Sequence, residues 1–466
     1  MASANLNSHV SMAMPITRLQ KIDKFREMFN TEGFVSLNHD FFVDPSIFKC
    51  FSSQPHIVYK NPGSNILNDT GEKVIVVLLS NLELNTDFIL KISTVNKQKN
   101  TNINSKVKNR GKNTNTFLMK LARTGIVMAE IMYKLIKYHI SPHNVVNYYY
   151  KHFIQSPKKP LKINCTHNYS NTVTSHEYKI SNNFVLEIQE TFSNSVDLFT
   201  FFINYSKSSI KHFDEYGNEK LMQTFIYIFF QIVYNLYVYN NIGIIHNDLT
   251  ENNIIIYNSN KEIYFNKYIL SDESKTTMYL RFRGLSSIEY NVCFIDFQMS
   301  APKPKINETE YKFADLAFFI IKIKTFINKL QAKPIYFPSA VKIQNVLDSI
   351  FILAFTSPEN YQLFLKKYEL FLTNRSRDFM LDMELNKLFK QDYVSILKSI
   401  YDKIGQLYDI VIPTTIDQVF TYSLEERPEF IEELKKYYPD TLKNPDSIIP
   451  KYYNKNTKKN KKTQHK

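Results

Sequence analysis

Ile244-Ile245-His246-Asn247-Asp248-Leu249-Thr250-Glu251-Asn252-Asn253-Ile254-Ile255-Ile256 sets a carboxylate and a side-chain amide five positions apart in a polar turn between two apolar runs. The run before it, Leu221 to Ile245, carries no charged residue and is long enough to span a bilayer. It also holds Gln231, Asn235, Asn240 and Asn241 and leads straight into the polar turn. That combination predicts a buried core helix and no transmembrane segment. The run after the turn predicts a strand. In such a turn Asp248 can accept or orient the proton of an attacking hydroxyl, and the side-chain oxygen of Asn253 can fold back onto a magnesium ion. His246 would pack the loop against its neighbours. The blander reading is a polar turn after a buried helix, with Asn253 merely opening a strand.

Downstream, Phe294-Ile295-Asp296-Phe297-Gln298 is an apolar run closed by Asp-Phe, and Asp296 is a candidate second metal ligand that would bridge nucleotide phosphates. Upstream, Phe88-Ile89-Leu90-Lys91-Ile92 reads as a strand with one lysine inside it. A nucleotide site needs a cation over the α- and β-phosphates, held by a carboxylate on a neighbouring helix. Lys91 is the candidate cation. Glu130 is the candidate carboxylate, in a helix predicted over 116–138 from Ile126, Ala129, Met132, Leu135 and Ile136. Lys91 facing solvent and Glu130 paired with Lys134 one turn on are the simpler alternatives. A phosphate-covering turn is expected between two strands before Lys91, and Asn68 to Val74 offers Gly71 and Val74 there. Gly63 lies further up, and neither glycine completes G-x-G-x-x-G.

The order Lys91, Glu130, Asp248, Asn253, Asp296, with the H-x-D-L-x-x-x-N pattern and Asp315 after it, resembles the eukaryotic-type protein kinase superfamily. Among its branches it looks most like the divergent serine/threonine kinases of large DNA viruses, the poxvirus and iridovirus type. The 43 residues from Asn253 to Asp296, strand-rich around 264–288, and the eroded glycine turn favour that branch. The likeness covers roughly residues 55–330. It implies an α+β, bilobal protein-kinase-like fold: a small β-rich lobe with one main helix and a larger, mostly helical lobe. It implies ATP with Mg2+ or Mn2+ as cofactors and a protein substrate with a Ser/Thr acceptor. Adenine would sit near Glu187 to Thr191, and Asp315 would hydrogen-bond the backbone of the 246–248 turn. Ser141-Pro142-His143-Asn144-Val145-Val146 resembles the linker after the main helix. A cytoplasmic location in a host cell, with packaging in the virion, rests on the likeness alone.

The chain departs from that pattern in three places. Thr250 stands where protein serine/threonine kinases usually carry the Lys that touches the transferred phosphate. Gln298 replaces the Gly after Asp-Phe. Only 19 residues separate Asp296 from Asp315, with no Ala-Pro-Glu between them. Control by activation-loop phosphorylation is therefore not expected. A small-molecule kinase of the same superfold and a nucleotide-binding pseudokinase scaffold stay open as alternatives.

Composition frames these motifs. Hydrophobic residues make up 44% and charged residues 22%, which excludes wholesale disorder, and only 9 glycines exclude glycine-rich architectures. The net charge of +14 is concentrated in two stretches: Lys451 to Lys466 holds seven Lys and no acid, and Lys97 to Lys112 holds six Lys or Arg and no acid. The remainder is nearly neutral. A basic tail could hold an acidic partner or nucleic acid, or simply be solvated. Cys50, Cys165 and Cys293 are too far apart for a disulfide framework or a metal cluster and suit a reducing compartment. The N-terminus lacks the order of a signal peptide.

Strands are also expected at Ile57-Val58-Tyr59, over 74–79, and over about 147–153 and 184–190, the last two split by a polar insertion. The expected organisation is an extension over 1–50, a small lobe over 51–191 and a large lobe over 192–445. The large lobe would carry an insertion at 258–290 and a C-terminal helical extension, followed by a basic tail over 446–466.

Overall fold

The computed structural model describes residues 18–31, 48–50, 72–81, 86–95, 108–154, 161–169, 172–180, 183–192, 195–207, 215–258, 265–280, 290–303, 312–374, 383–407 and 419–443. In chain order the first elements are α1 (Arg18–Thr31), β1 (Phe48–Cys50), β2 (Glu72–Asn81), β3 (Thr86–Val95), α2 (Lys108–Lys137), β4 (Asn147–Ile154), β5 (Leu161–Tyr169), β6 (Thr172–Ile180) and β7 (Asn183–Gln189). Then come β8 (Val196–Asp197), α3 (Leu198–Lys207), α4 (Glu215–Asn241), β9 (Ile244–Ile245), β10 (Ile254–Asn258), β11 (Phe265–Ile269), β12 (Thr277–Leu280), β13 (Tyr290–Phe294) and β14 (Ala301–Pro302). The chain continues through α5 (Ala314–Gln331), α6 (Ala340–Phe351), α7 (Pro358–Asn374), α8 (Met383–Asn386), α9 (Tyr393–Leu407), β15 (Val419–Ser423) and α10 (Pro428–Lys443). The fold is mixed α+β.

The largest sheet is antiparallel throughout, in the order β1-β2-β3-β7-β4. The helix α2 leaves β3 and returns the chain to β4, packing on both. The polar insertion between β4 and β7 is itself the β5–β6 hairpin, which pairs with no other strand among the described residues. The stretch set aside as an N-terminal extension contributes β1 to this sheet and α1 against β4. On α1, Phe25 packs against Phe88 and Tyr148, with ring centroids 5.1 and 5.2 Å away. The expected strand at Ile57-Val58-Tyr59 and the basic tail fall outside the described residues. The end of the basic stretch, Lys108 to Lys112, was expected as a loop and forms the start of α2 instead. Its residues have no apolar period to betray a helix.

The helical remainder is organised around α4, which packs on α5, α6 and α9. Among the described residues one helix, Leu221–Asn241, is long and apolar enough to cross a membrane, and most of it is buried inside the protein. Its polar residues are structural. Gln231 donates to the Tyr290 carbonyl at 2.8 Å and accepts from the Val292 N–H at 3.1 Å, which fixes β13. Asn235 donates to the His143 carbonyl at 3.1 Å and accepts from the Ser141 hydroxyl at 2.7 Å, which fixes the 141–144 segment. Asn235→Leu strips both groups of their buried partner, and we expect a loss of about 2–4 kcal/mol in urea unfolding.

The 258–290 insertion is strand-rich as expected. It forms the β11–β12 hairpin, which β15 joins in parallel. His143 lies beneath it, 3.0 Å from the Tyr268 hydroxyl and 3.1 Å from the Val292 carbonyl. The segment that carries His143 then runs beside β13, with Val145 N–H donating to Phe294 O at 3.1 Å and Phe294 N–H to His143 O at 3.0 Å.

Candidate functional site

The 246–253 turn is built by its neighbours. α4 ends at Asn241, and two residues on the chain turns at Gly243, whose φ of +74° is open to glycine at little cost. β9 then pairs with β14, which follows the Asp-Phe-Gln segment, so the two motif loops are tied together at their outer ends. Their inner ends are tied by β10 and β13, which pair Ile254 with Phe294, and by the Ile295 N–H, which donates to Asn253 O at 3.0 Å. His246 sits between them. Its Nε2 lies 3.1 Å from Ile295 O, and its ring packs on Phe294 and Phe297. Burial pushes the imidazole down to about 4, so the ring is neutral, with Nε2 carrying the proton toward that carbonyl.

Asp315 anchors the turn from below. At the start of α5 its two carboxylate oxygens accept the N–H groups of His246 and Asn247 at 2.7 and 2.8 Å. These are the contacts the resemblance implied for it. Burial pushes its carboxyl up to about 6, against the pull of those two donors. Asn247 has a φ of +63°, and its left-handed backbone presents the next residue, Asp248.

Within the turn, Asn253 Nδ2 donates to Asp248 O at 2.7 Å and to Asp248 Oδ2 at 3.2 Å. Across from it, Asp296 has a φ of +61° and its carboxylate accepts Lys91 Nζ at 2.8 Å. Lys91, Asp296, Phe297 and Gln298 line one narrow cleft together with Gly125 and Glu187. Four of the expected residues therefore converge as two contacting pairs, Lys91 with Asp296 and Asp248 with Asn253. Asp296, Asp248 and Asn253 offer oxygen donors only, with few carboxylates. That set fits a magnesium ion that keeps waters and phosphate oxygens in its shell, and fits zinc or other soft metals poorly.

Glu130 is not where it was expected. Its carboxylate takes Arg26 of α1 at 2.8 Å instead of Lys91. Arg26 also donates to Asn147 O at 3.2 Å and stacks on the Tyr133 ring at 3.7 Å, so the pair is firmly built. The cause is helical phase: Gly125 and Ala129 are the α2 residues facing the cleft, and Glu130 lies about 100° further round.

Glu187 falls in the strand expected over 184–190. It stands inside β7, directly opposite Lys91. Glu190, at the end of that strand, is held by Arg18, which donates to both of its carboxylate oxygens at 2.8 Å. Val74 lies in β2 opposite Ser93, and Gly71 lies outside the described residues.

Three contributors carried no signal in the motifs. Arg18 and Arg26 come from α1, whose weak apolar period hides it. Gly125 makes room for Gln298: a Cβ placed there would meet Gln298 Cγ at 3.2 Å. The side chain replacing the expected glycine is buried under α2, and Asp296 lines the cleft beside it.

No family model matches the chain, and no curated protein matches it.

Proposed function

We propose that the chain is an ATP-dependent serine/threonine protein kinase, bilobal, with residues 51–191 as the small lobe and 192–445 as the large one. The observation that carries this reading is the pair of Lys91 with Asp296 and the pair of Asp248 with Asn253, the two aspartates standing on loops that are tied to each other through Ile295 N–H and Asn253 O, the Asp248 loop held by Asp315. The five-stranded antiparallel sheet with one long helix between β3 and β4 supports a small lobe of the kind the resemblance implies.

In this reading Lys91 neutralises charge on the α- and β-phosphates. Asn253 and Asp296 would hold Mg2+, which supplies further charge neutralisation to the phosphates when bound. The acceptor hydroxyl oxygen forms the new bond to the γ-phosphorus, the bond to the β,γ-bridging oxygen breaks, and ADP leaves with that oxygen. Asp248 accepts the hydroxyl proton and passes it to solvent. Catalysis is then mostly positioning and electrostatics. A host-cell cytoplasmic site of action and a virion-packaged form belong to the same proposal, as does an acidic partner or nucleic acid for the basic tail.

Thr250 favours a second reading, a kinase for a small-molecule hydroxyl, because it removes the usual lysine beside a protein acceptor. The two separate in one experiment with γ-labelled ATP. Casein, a basic protein and a panel of small alcohols are offered in parallel. Label on Ser or Thr of protein is expected, and label only on an alcohol would replace the protein-kinase reading with the second.

A further inference from the structure

We propose that Glu187, a strand residue, is the positioning carboxylate of Lys91, in the place expected of the helix residue Glu130. The inference rests on the nucleotide-site reading above and deepens it.

Glu130 is committed elsewhere, to Arg26 at 2.8 Å. Glu187 is the directly opposed neighbour of Lys91 in the β3–β7 register. Opposed residues share a face of the sheet, with Cβ atoms about 5 Å apart. Both side chains line the same cleft, and among the described residues lining it Lys91 is the only cation. Glu187 is 3% exposed and Lys91 9% exposed.

The hydrogen bonding of Glu187 is one-sided. Its Oε2 accepts Asn147 Nδ2 at 3.0 Å and Gln189 Nε2 at 3.2 Å. Its Oε1 is buried with no hydrogen-bond partner among the described residues. A buried carboxylate with an idle oxygen is costly unless a cation or donor faces it. Asn147 and Gln189 hold Oε2 and so fix the direction of the whole group. Lys91 carries three N–H donors, enough to reach Asp296, Glu187 and a phosphate oxygen together.

The consequence is regulatory. A carboxylate on α2 would tie Lys91 to the position of that helix. A carboxylate on the adjoining strand holds Lys91 through the sheet register, which does not depend on helix movement. That matches the short span from Asp296 to Asp315, which leaves little chain for an activation segment.

A double-mutant cycle on the full chain tests this, with MgATP affinity read by calorimetry and kcat/KM by label transfer. Glu187→Gln, which keeps shape and loses charge, is expected to weaken MgATP binding and kcat/KM by about tenfold to a hundredfold. In a Lys91→Met background the same substitution is expected to change MgATP affinity by less than about twofold. Glu187→Asp, which keeps the charge, is expected to lose less than Glu187→Gln. A packing role predicts the reverse order, because Gln preserves the shape. Equal losses in both backgrounds, or no loss in the wild-type background, overturn the inference and leave the kinase reading standing. A wild-type chain that binds no MgATP overturns both together.

Discussion

Asp248→Asn is expected to lower phosphoryl transfer by about 10²–10⁴-fold while the fold stays intact. The substitution keeps the shape of the side chain. The loop around it is held by groups the substitution does not touch: the Asp315 carboxylate under His246 and Asn247, and the Ile295 N–H on Asn253 O. The main link from Asn253, to the Asp248 backbone carbonyl at 2.7 Å, also survives. What is lost is the capacity to take a proton, so kcat should fall with the KM for ATP nearly unchanged. Initial rates with γ-labelled ATP, beside thermal unfolding of both proteins, measure this. A variant with wild-type turnover would remove Asp248 from the chemistry, and one that loses its fold would make it a structural residue.

The second large effect is on stability, and it is set by two buried histidines. Burial pushes His143 down to about 3 and His246 down to about 4, from an ordinary value of 6.5. Both are neutral in the folded chain and take up protons on unfolding. Their contribution is therefore fully present above pH 6.5 and is lost as pH falls toward 4. Asp315 acts in the opposite sense. Its folded carboxyl, pushed up to about 6 by burial, holds a proton that the unfolded chain binds only near 3.8, so it recovers part of the loss. At about 1.4 kcal/mol for each pH unit per group, the net loss between pH 7 and 4 is on the order of 4 kcal/mol. Urea midpoints across that range are expected to fall, and His143→Asn is expected to remove most of the net dependence, because the Asp315 contribution then nearly offsets that of His246. A flat or rising midpoint would contradict the burial of these rings.

The grouping of the candidate residues was legible in the sequence because each part is a short local pattern. Asp248, Asn253 and Asp296 sit in turns bounded by apolar runs, and Lys91 interrupts an apolar strand. Asp315 was legible for the same reason, as the opening acid of an apolar helix. What was not legible depends on orientation. The identity of Glu130 as a helix carboxylate was clear, but the face it presents depends on where α2 rests, and Gly125 and Ala129 take the cleft side. Glu187 was expected inside a strand, but its partner across the sheet depends on register, which no local pattern encodes and which puts it opposite Lys91. α1 escaped notice because its anchoring is done by two arginines at long range, Arg18 on Glu190 and Arg26 on Glu130, which no local period encodes. The polar residues of α4 correctly argued for a buried helix, and Gln231 and Asn235 turn out to hold β13 and the 141–144 segment.

The most direct measurement is transfer of label from γ-labelled ATP to protein by the wild-type chain, with Mg2+ and then with the metal chelated. We predict label on serine or threonine that requires the metal. No transfer to any acceptor, with or without metal, would contradict the assignment of Lys91, Asp248, Asn253 and Asp296 to a phosphotransfer site.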